Sequence, residues 1–165
     1  MIIKYINPVS QSVVLLPRYL LESIFRIASQ HYPVEFGGIF TGYKLDNLLS
    51  IVDFEVPNKF QSTGTKFTRE ADDLNKYLQD IYEVSLGKIE YLGEWHSHPA
   101  GSTQFSSKDL QSIGEIAFKS ETKNKNPLLL IIGLGQKKHI STFYQFIEGN
   151  LIKLKSNNYD KTSTP

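Results

Sequence analysis

Apolar residues recur at helical spacing in three stretches of the chain. Leu20, Leu21, Ile24, Phe25, Ile27 and Ala28 follow Pro17 and share one face, so a helix is expected to begin near that proline. Residues 69–86 carry Leu74, Leu78, Ile81 and Tyr82 at the same period, and Gly87 follows as the expected C-cap. Residues 106–118 place Leu110, Ile113 and Ala117 on one side. Elsewhere the pattern shortens to that of strands, at 34–43 with its paired glycines, at 49–56 and at 89–96. Asp46-Asn47 predicts a hairpin turn between the first two. The unbroken apolar run at 128–134 suits a strand covered on both faces. Residues 139–147 and 150–154 read as a hairpin around Glu148-Gly149, while 57–65 and 99–105 read as loops. Three helices and about six strands in mixed order imply one α/β domain over 1–155, a mixed central β-sheet flanked by helices. The polar residues 156–165 are expected to form a disordered tail.

Composition narrows the chemistry. Eighteen basic residues stand against seventeen acidic ones, which supports neither a nucleic-acid footprint nor a polybasic membrane anchor. The longest apolar stretch, 128–132, is far too short to cross a bilayer. The opening Met1-Ile-Ile-Lys-Tyr has no long apolar run and no cleavage signal, so a soluble cytoplasmic protein is expected. The chain has no cysteine, which excludes a thiolate nucleophile, a disulfide framework, a Cys-type zinc finger and an iron–sulfur cluster. Any metal site must use His, Asp or Glu.

One stretch meets that requirement. In an extended strand, residues two apart project to the same face, so His96 and His98 can aim both imidazoles at one point. Pro99 stops the strand at once and leaves the pair at its end. Ten residues then separate His98 from Asp109, enough for a loop to return and begin a helix with Asp109 in its first turn. Two imidazoles and a carboxylate match a catalytic zinc site, whose open fourth position holds a water with its pKa lowered to roughly 7. Each part also has a plainer reading. A His-x-His pair alone is weak evidence, and Ser106-x-x-Asp109 is also a helix N-terminal capping pattern. Glu94 shares the face of the two histidines and could act as a base or a supporting group, whereas Trp95 points the other way, toward the core.

The string His96-Ser97-His98-Pro99, six residues, then Ser106-x-x-Asp109 resembles the full metal motif of the JAB/JAMM (MPN-plus, Mov34-like) metallopeptidases, H-[ST]-H-P-x6-S-x-x-D, without a departure. The family's upstream glutamate in an E-x-G-G setting has its counterpart in Glu35-Phe36-Gly37-Gly38. The resemblance spans residues 16–154, at the level of pattern outside the motifs. It implies the JAB/MPN, cytidine-deaminase-like fold and one zinc ion per chain held by His96, His98 and Asp109. It also implies Glu35 as the general base that shuttles a proton to the leaving amine, Ser106 as the oxyanion-steadying hydroxyl, and a peripheral role for Glu94. Glu35 could otherwise be a surface carboxylate on an edge strand.

Within the family, Gly93-Glu94-Trp95-His96-Ser97-His98-Pro99 is most similar to compact bacterial members encoded beside E1-like and E2-like proteins, as in type II CBASS and ubiquitin-like conjugation (Bil) antiphage operons. That implies cleavage after the C-terminal glycine of a ubiquitin-like modifier or otherwise conjugated protein, in deconjugation or precursor maturation. The alternatives are a peptidase trimming a ubiquitin-like sulfur-carrier protein, a RadC-like protein linked to DNA repair, and a non-catalytic MPN-minus scaffold. Ala100-Gly101 favours the RadC-like reading, but Ser97 and the lack of a helix-hairpin-helix region oppose it. The complete ligand set opposes the scaffold.

Overall fold

The computed structural model describes residues 1–65, 67–69, 72–119, 123–135 and 140–156, with 67–69 described by backbone alone. In chain order the elements are β1 (Ile2–Ile6), β2 (Val13–Pro17), α1 (Arg18–Gln30), β3 (Gly37–Leu45), β4 (Leu48–Glu55), β5 (Phe60–Ser62) and β6 (Phe67–Arg69). There follow α2 (Asp72–Val84), β7 (Glu90–His98), α3 (Ser107–Phe118), β8 (Leu128–Gly133), β9 (Ile140–Ile147), β10 (Asn150–Lys153) and β11 (Lys155–Ser156). The three helices form where apolar spacing predicts them; α1 and α3 bury several residues of that spacing, whereas α2 buries Leu74 and leaves Tyr82 exposed. Gly87 donates its N–H to Tyr82 O and takes a left-handed φ of 74°, the expected C-cap behaviour.

Nine strands join in one mixed sheet, ordered β10-β9-β8-β7-β3-β4-β2-β1-β11. The pairs β2–β4 and β7–β8 are parallel, and the other neighbours run antiparallel. β8 shows why its sequence is apolar throughout. Leu128, Leu130 and Ile132 enter the core under α1, whereas Leu129 and Ile131 pack with Ile113 and Ala117 of α3. β8 is buried on both faces, and β7 beside it buries one face while the other lines a cleft, with the chemistry-bearing residues at its end.

The sheet is larger than the sequence reading expects. No strand was expected before residue 34, yet Ile3, Tyr5, Val14 and Leu16 alternate into the core from β1 and β2. Five-residue strands with two buried positions each give too short an alternation to stand out. The expected loop 57–65 contains β5, which pairs with β6 as a separate two-stranded sheet. Ser156, expected in the tail, pairs with Tyr5. Residues 157–165 and His139 lie outside the described residues.

Candidate functional site

β7 ends at His98, immediately before Pro99, and presents His96 and His98 on one face. Their Nε2 atoms lie 3.0 Å apart. α3 begins at the same end of the sheet, and Ser106 is its N-cap. Ser106 Oγ accepts the Asp109 N–H at 3.1 Å, and the Ser106 N–H donates to Asp109 Oδ2 at 2.6 Å. This capping box fixes the Asp109 carboxylate against the strand, with Oδ1 3.3 Å from His96 Nε2 and Oδ2 3.7 Å from His98 Nε2. The capping and clustering roles of Asp109 therefore coexist. One carboxylate oxygen serves the helix while the pair faces the imidazoles.

His96, His98 and Asp109 are all half-buried and form a group able to hold a metal ion. A tetrahedral ion with bonds of about 2.0–2.1 Å sets its ligand atoms roughly 3.4 Å apart. The separations of 3.0, 3.3 and 3.7 Å bracket that figure. His98 Nδ1 donates to the carbonyl of Ser102 at 3.0 Å, which leaves the Nε2 lone pair directed into the group. That carbonyl is a functional partner the sequence could not reveal, because any residue type supplies one.

Protonation suits the same purpose. Burial, with the neighbouring His96 charge, lowers the His98 pKa against the opposing pull of Asp109 and the Ser102 carbonyl, so its imidazole is neutral near pH 7. Burial alone would raise Asp109, but its hydrogen bond to His96, the His96 charge and its bonds to Ser106 outweigh burial. They hold the carboxyl well below the usual range. Neutral imidazole and ionised carboxylate are the forms that bind metal.

Glu35 stands beside this group, just before β3. Its N–H donates to Thr63 O at 2.8 Å and its carbonyl accepts from Ser62 Oγ, so the β5 segment fixes its backbone. Glu35, His96, His98, Ser106 and Asp109 line one cleft of about 620 Å³. Burial raises the Glu35 pKa above the ordinary carboxylate range; Asp109 adds to the rise, while His96 and Lys108 oppose it. Glu94 lines the cleft farther down β7, and Trp95 is buried on the opposite side.

The two glycines after Phe36 bring Glu35 this close. A Cβ on Gly37 would lie 2.4 Å from Trp95 O and 2.9 Å from His96 Cβ, and one on Gly38 would lie 2.2 Å from Glu55 O. Their role is close approach between strands. Gly37→Ala is expected to destabilise the fold by about 1–3 kcal/mol, seen as a lower denaturant midpoint. An unchanged midpoint would show that β3 and β7 can separate freely.

Residues 17–146 match the family described as prokaryotic homologs of the JAB domain. The chain belongs to that family. This JAB protein is a metallopeptidase, and its relatives agree. It is 25% identical over 121 residues to the probable metalloprotease y4qB of Sinorhizobium fredii (strain NBRC 101917 / NGR234), covering 71% of this chain and 73% of that one. It is 31% identical over 102 residues to the CD-NTase/cGAS isopeptidase of Enterobacter hormaechei subsp. hoffmannii (strain UCI 50). That match covers 60% of this chain and just over half, 55%, of the relative. In fold, the JAB protein is similar to the solution structure of DSY2949 from Desulfitobacterium hafniense. The TM-score is 0.61 at 20% identity, covering 82% of this chain and 86% of that one. No helix among the described residues is long and apolar enough to cross a membrane.

Proposed function

We propose that this JAB protein is a zinc-dependent isopeptidase or peptidase that cleaves after the C-terminal glycine of a ubiquitin-like modifier or other conjugated protein. The observation that carries the reading is the convergence of His96, His98 and Asp109 in the cleft that also contains Glu35. His96, His98 and Asp109 would hold one zinc ion per chain. An all-nitrogen-and-oxygen set of three is typical of catalytic zinc. When bound, the ion supplies Lewis acidity to an amide carbonyl and makes water acidic enough to attack near neutral pH.

The chain's own groups complete the reaction. Glu35 accepts a proton from the attacking water and delivers it to the leaving nitrogen. Its raised pKa suits both halves of that transfer. Ser106 Oγ lines the same cleft, and its hydroxyl can turn from the Asp109 carboxylate to donate to the carbonyl oxygen as that atom gains negative charge. The β5–β6 sheet, tied to Glu35 through Ser62 and Thr63, offers an edge where an extended tail can add as a strand. Glycine at the end of that tail suits a cleavage point enclosed between Glu35 and the ligand group.

The isopeptidase relative's name favours deconjugation as the biological setting. In that setting the protein works in the cytoplasm, beside E1-like and E2-like partners of an antiphage conjugation operon. The test is incubation of the purified protein with a Gly-ended ubiquitin-like conjugate. Cleavage after the glycine is expected, together with loss of activity in a chelator and recovery on adding zinc. Thiol-alkylating reagents should have no effect, because the chain has no cysteine. Chelator-resistant cleavage, or equal rates on tails with bulky penultimate residues, would contradict the mechanism or the tail preference respectively.

A further inference from the structure

Between the two cleft-facing imidazoles, Ser97 points the other way and is fully buried. The β3–β7 ladder has its last registered pair at Gly37 and His96. Beyond that pair, the backbone N–H of Ser97 donates to Phe36 O at 2.8 Å. The return bond does not go to a backbone carbonyl. Phe36 N–H donates instead to the Ser97 hydroxyl oxygen at 3.1 Å. A side chain thus extends the ladder by one residue, up to the peptide that joins Phe36 to Glu35.

We propose that Ser97 is a positioning residue for Glu35, its hydroxyl setting where the carboxylate stands relative to His96 and His98. The inference rests on reading Glu35 as the proton carrier. Other contacts hold the Phe36 ring and the Glu35 backbone. The Phe36 ring stacks on His31 with centroids 3.6 Å apart and meets Phe60 and Trp95 edge-on. Thr63 and Ser62 hold the Glu35 backbone from the β5 side. The two Phe36–Ser97 hydrogen bonds tie the backbone of this segment to the strand that carries the imidazoles beyond the end of the ladder, and the Phe36 ring meets Trp95 of the same strand. Loss of the hydroxyl leaves the buried Phe36 N–H without that acceptor and loosens the peptide joining Phe36 to Glu35, while the Ser97 N–H to Phe36 O bond remains. A displacement of about 1 Å in a proton-transferring group is enough to cost up to about 10²-fold in rate.

The test compares Ser97→Ala and Ser97→Thr in the full chain. A zinc-loaded sample is assayed on a Gly-Gly peptide joined to an aminocoumarin, and a metal-free sample is used for amide hydrogen exchange. Ser97→Ala should lower kcat about ten-fold or more with little change in KM, and zinc content should stay at the parent level. The Phe36 amide should exchange faster in Ser97→Ala. Ser97→Thr, which keeps the hydroxyl on a strand residue, should restore both readouts. An unchanged kcat or an unchanged Phe36 exchange rate in Ser97→Ala would overturn the proposal. So would loss of zinc, which would place the serine's effect on the ligands instead. A parent protein inactive on every Gly-ended substrate would overturn the functional reading. Phe36 exchange would then decide separately whether Ser97 holds the segment.

Discussion

Glu35→Gln is expected to lower kcat by about 10²–10⁴-fold while the protein keeps its full metal content, measured by steady-state kinetics and elemental analysis on the same sample. The substitution is close to isosteric, and the backbone contacts of residue 35 to Thr63 and Ser62 do not involve the carboxylate. It removes only the carboxylate that carries the proton in the proposed mechanism. In that mechanism the same carboxylate gives the pH profile its acidic limb, because it works as a base in its ionised form. Activity should therefore fall as pH drops and Glu35 takes up a proton, read from the pH dependence of kcat. Undiminished turnover in Glu35→Gln would place the base elsewhere, and Glu94, which also lines the cleft, would be the first group to test.

His96→Ala and Asp109→Ala should each abolish stoichiometric zinc binding and with it all turnover, but they should differ in stability. Asp109 also closes the capping box of α3 through Ser106. Its loss is expected to cost the metal-free protein about 1 kcal/mol, read from denaturant unfolding. His96 makes no helix cap, so His96→Ala should leave the metal-free protein nearer to the parent. Retention of zinc by either variant would refute the ligand set. Equal stability of the two metal-free variants would show that the cap contributes little. The comparison separates the helix-capping role of Asp109 from its proposed metal ligation.

The sequence determined the helices and the spacing of the site. Apolar positions at 3.6-residue intervals can be buried only on a helix, so Leu20, Ile24 and Ala28 specify α1 whatever surrounds them. His96 and His98 share a face because strand geometry alternates side chains, and Ser106 can cap Asp109 because a helix begins there. These are local rules acting over a few residues.

Tertiary structure decided what depends on a partner distant in the chain. β1 and β2 exist because each has a neighbour to pair with, the register setting Ile3 against Leu16 and Val14 against Leu49. In β7, strict alternation would place Leu92 and Trp95 on opposite faces, yet both enter the core under α1. The register with β3 slips between Phe40 and Thr41, opposite Gly93 and Tyr91, and reverses the phase. The approach of Glu35 to the imidazoles likewise depends on Gly37 meeting His96 and on the Ser97 hydroxyl finding its donor on another segment. Hydrogen bonds between residues 61 positions apart, as between Phe36 and Ser97, leave no periodic trace in a sequence, because folding alone brings their partners together.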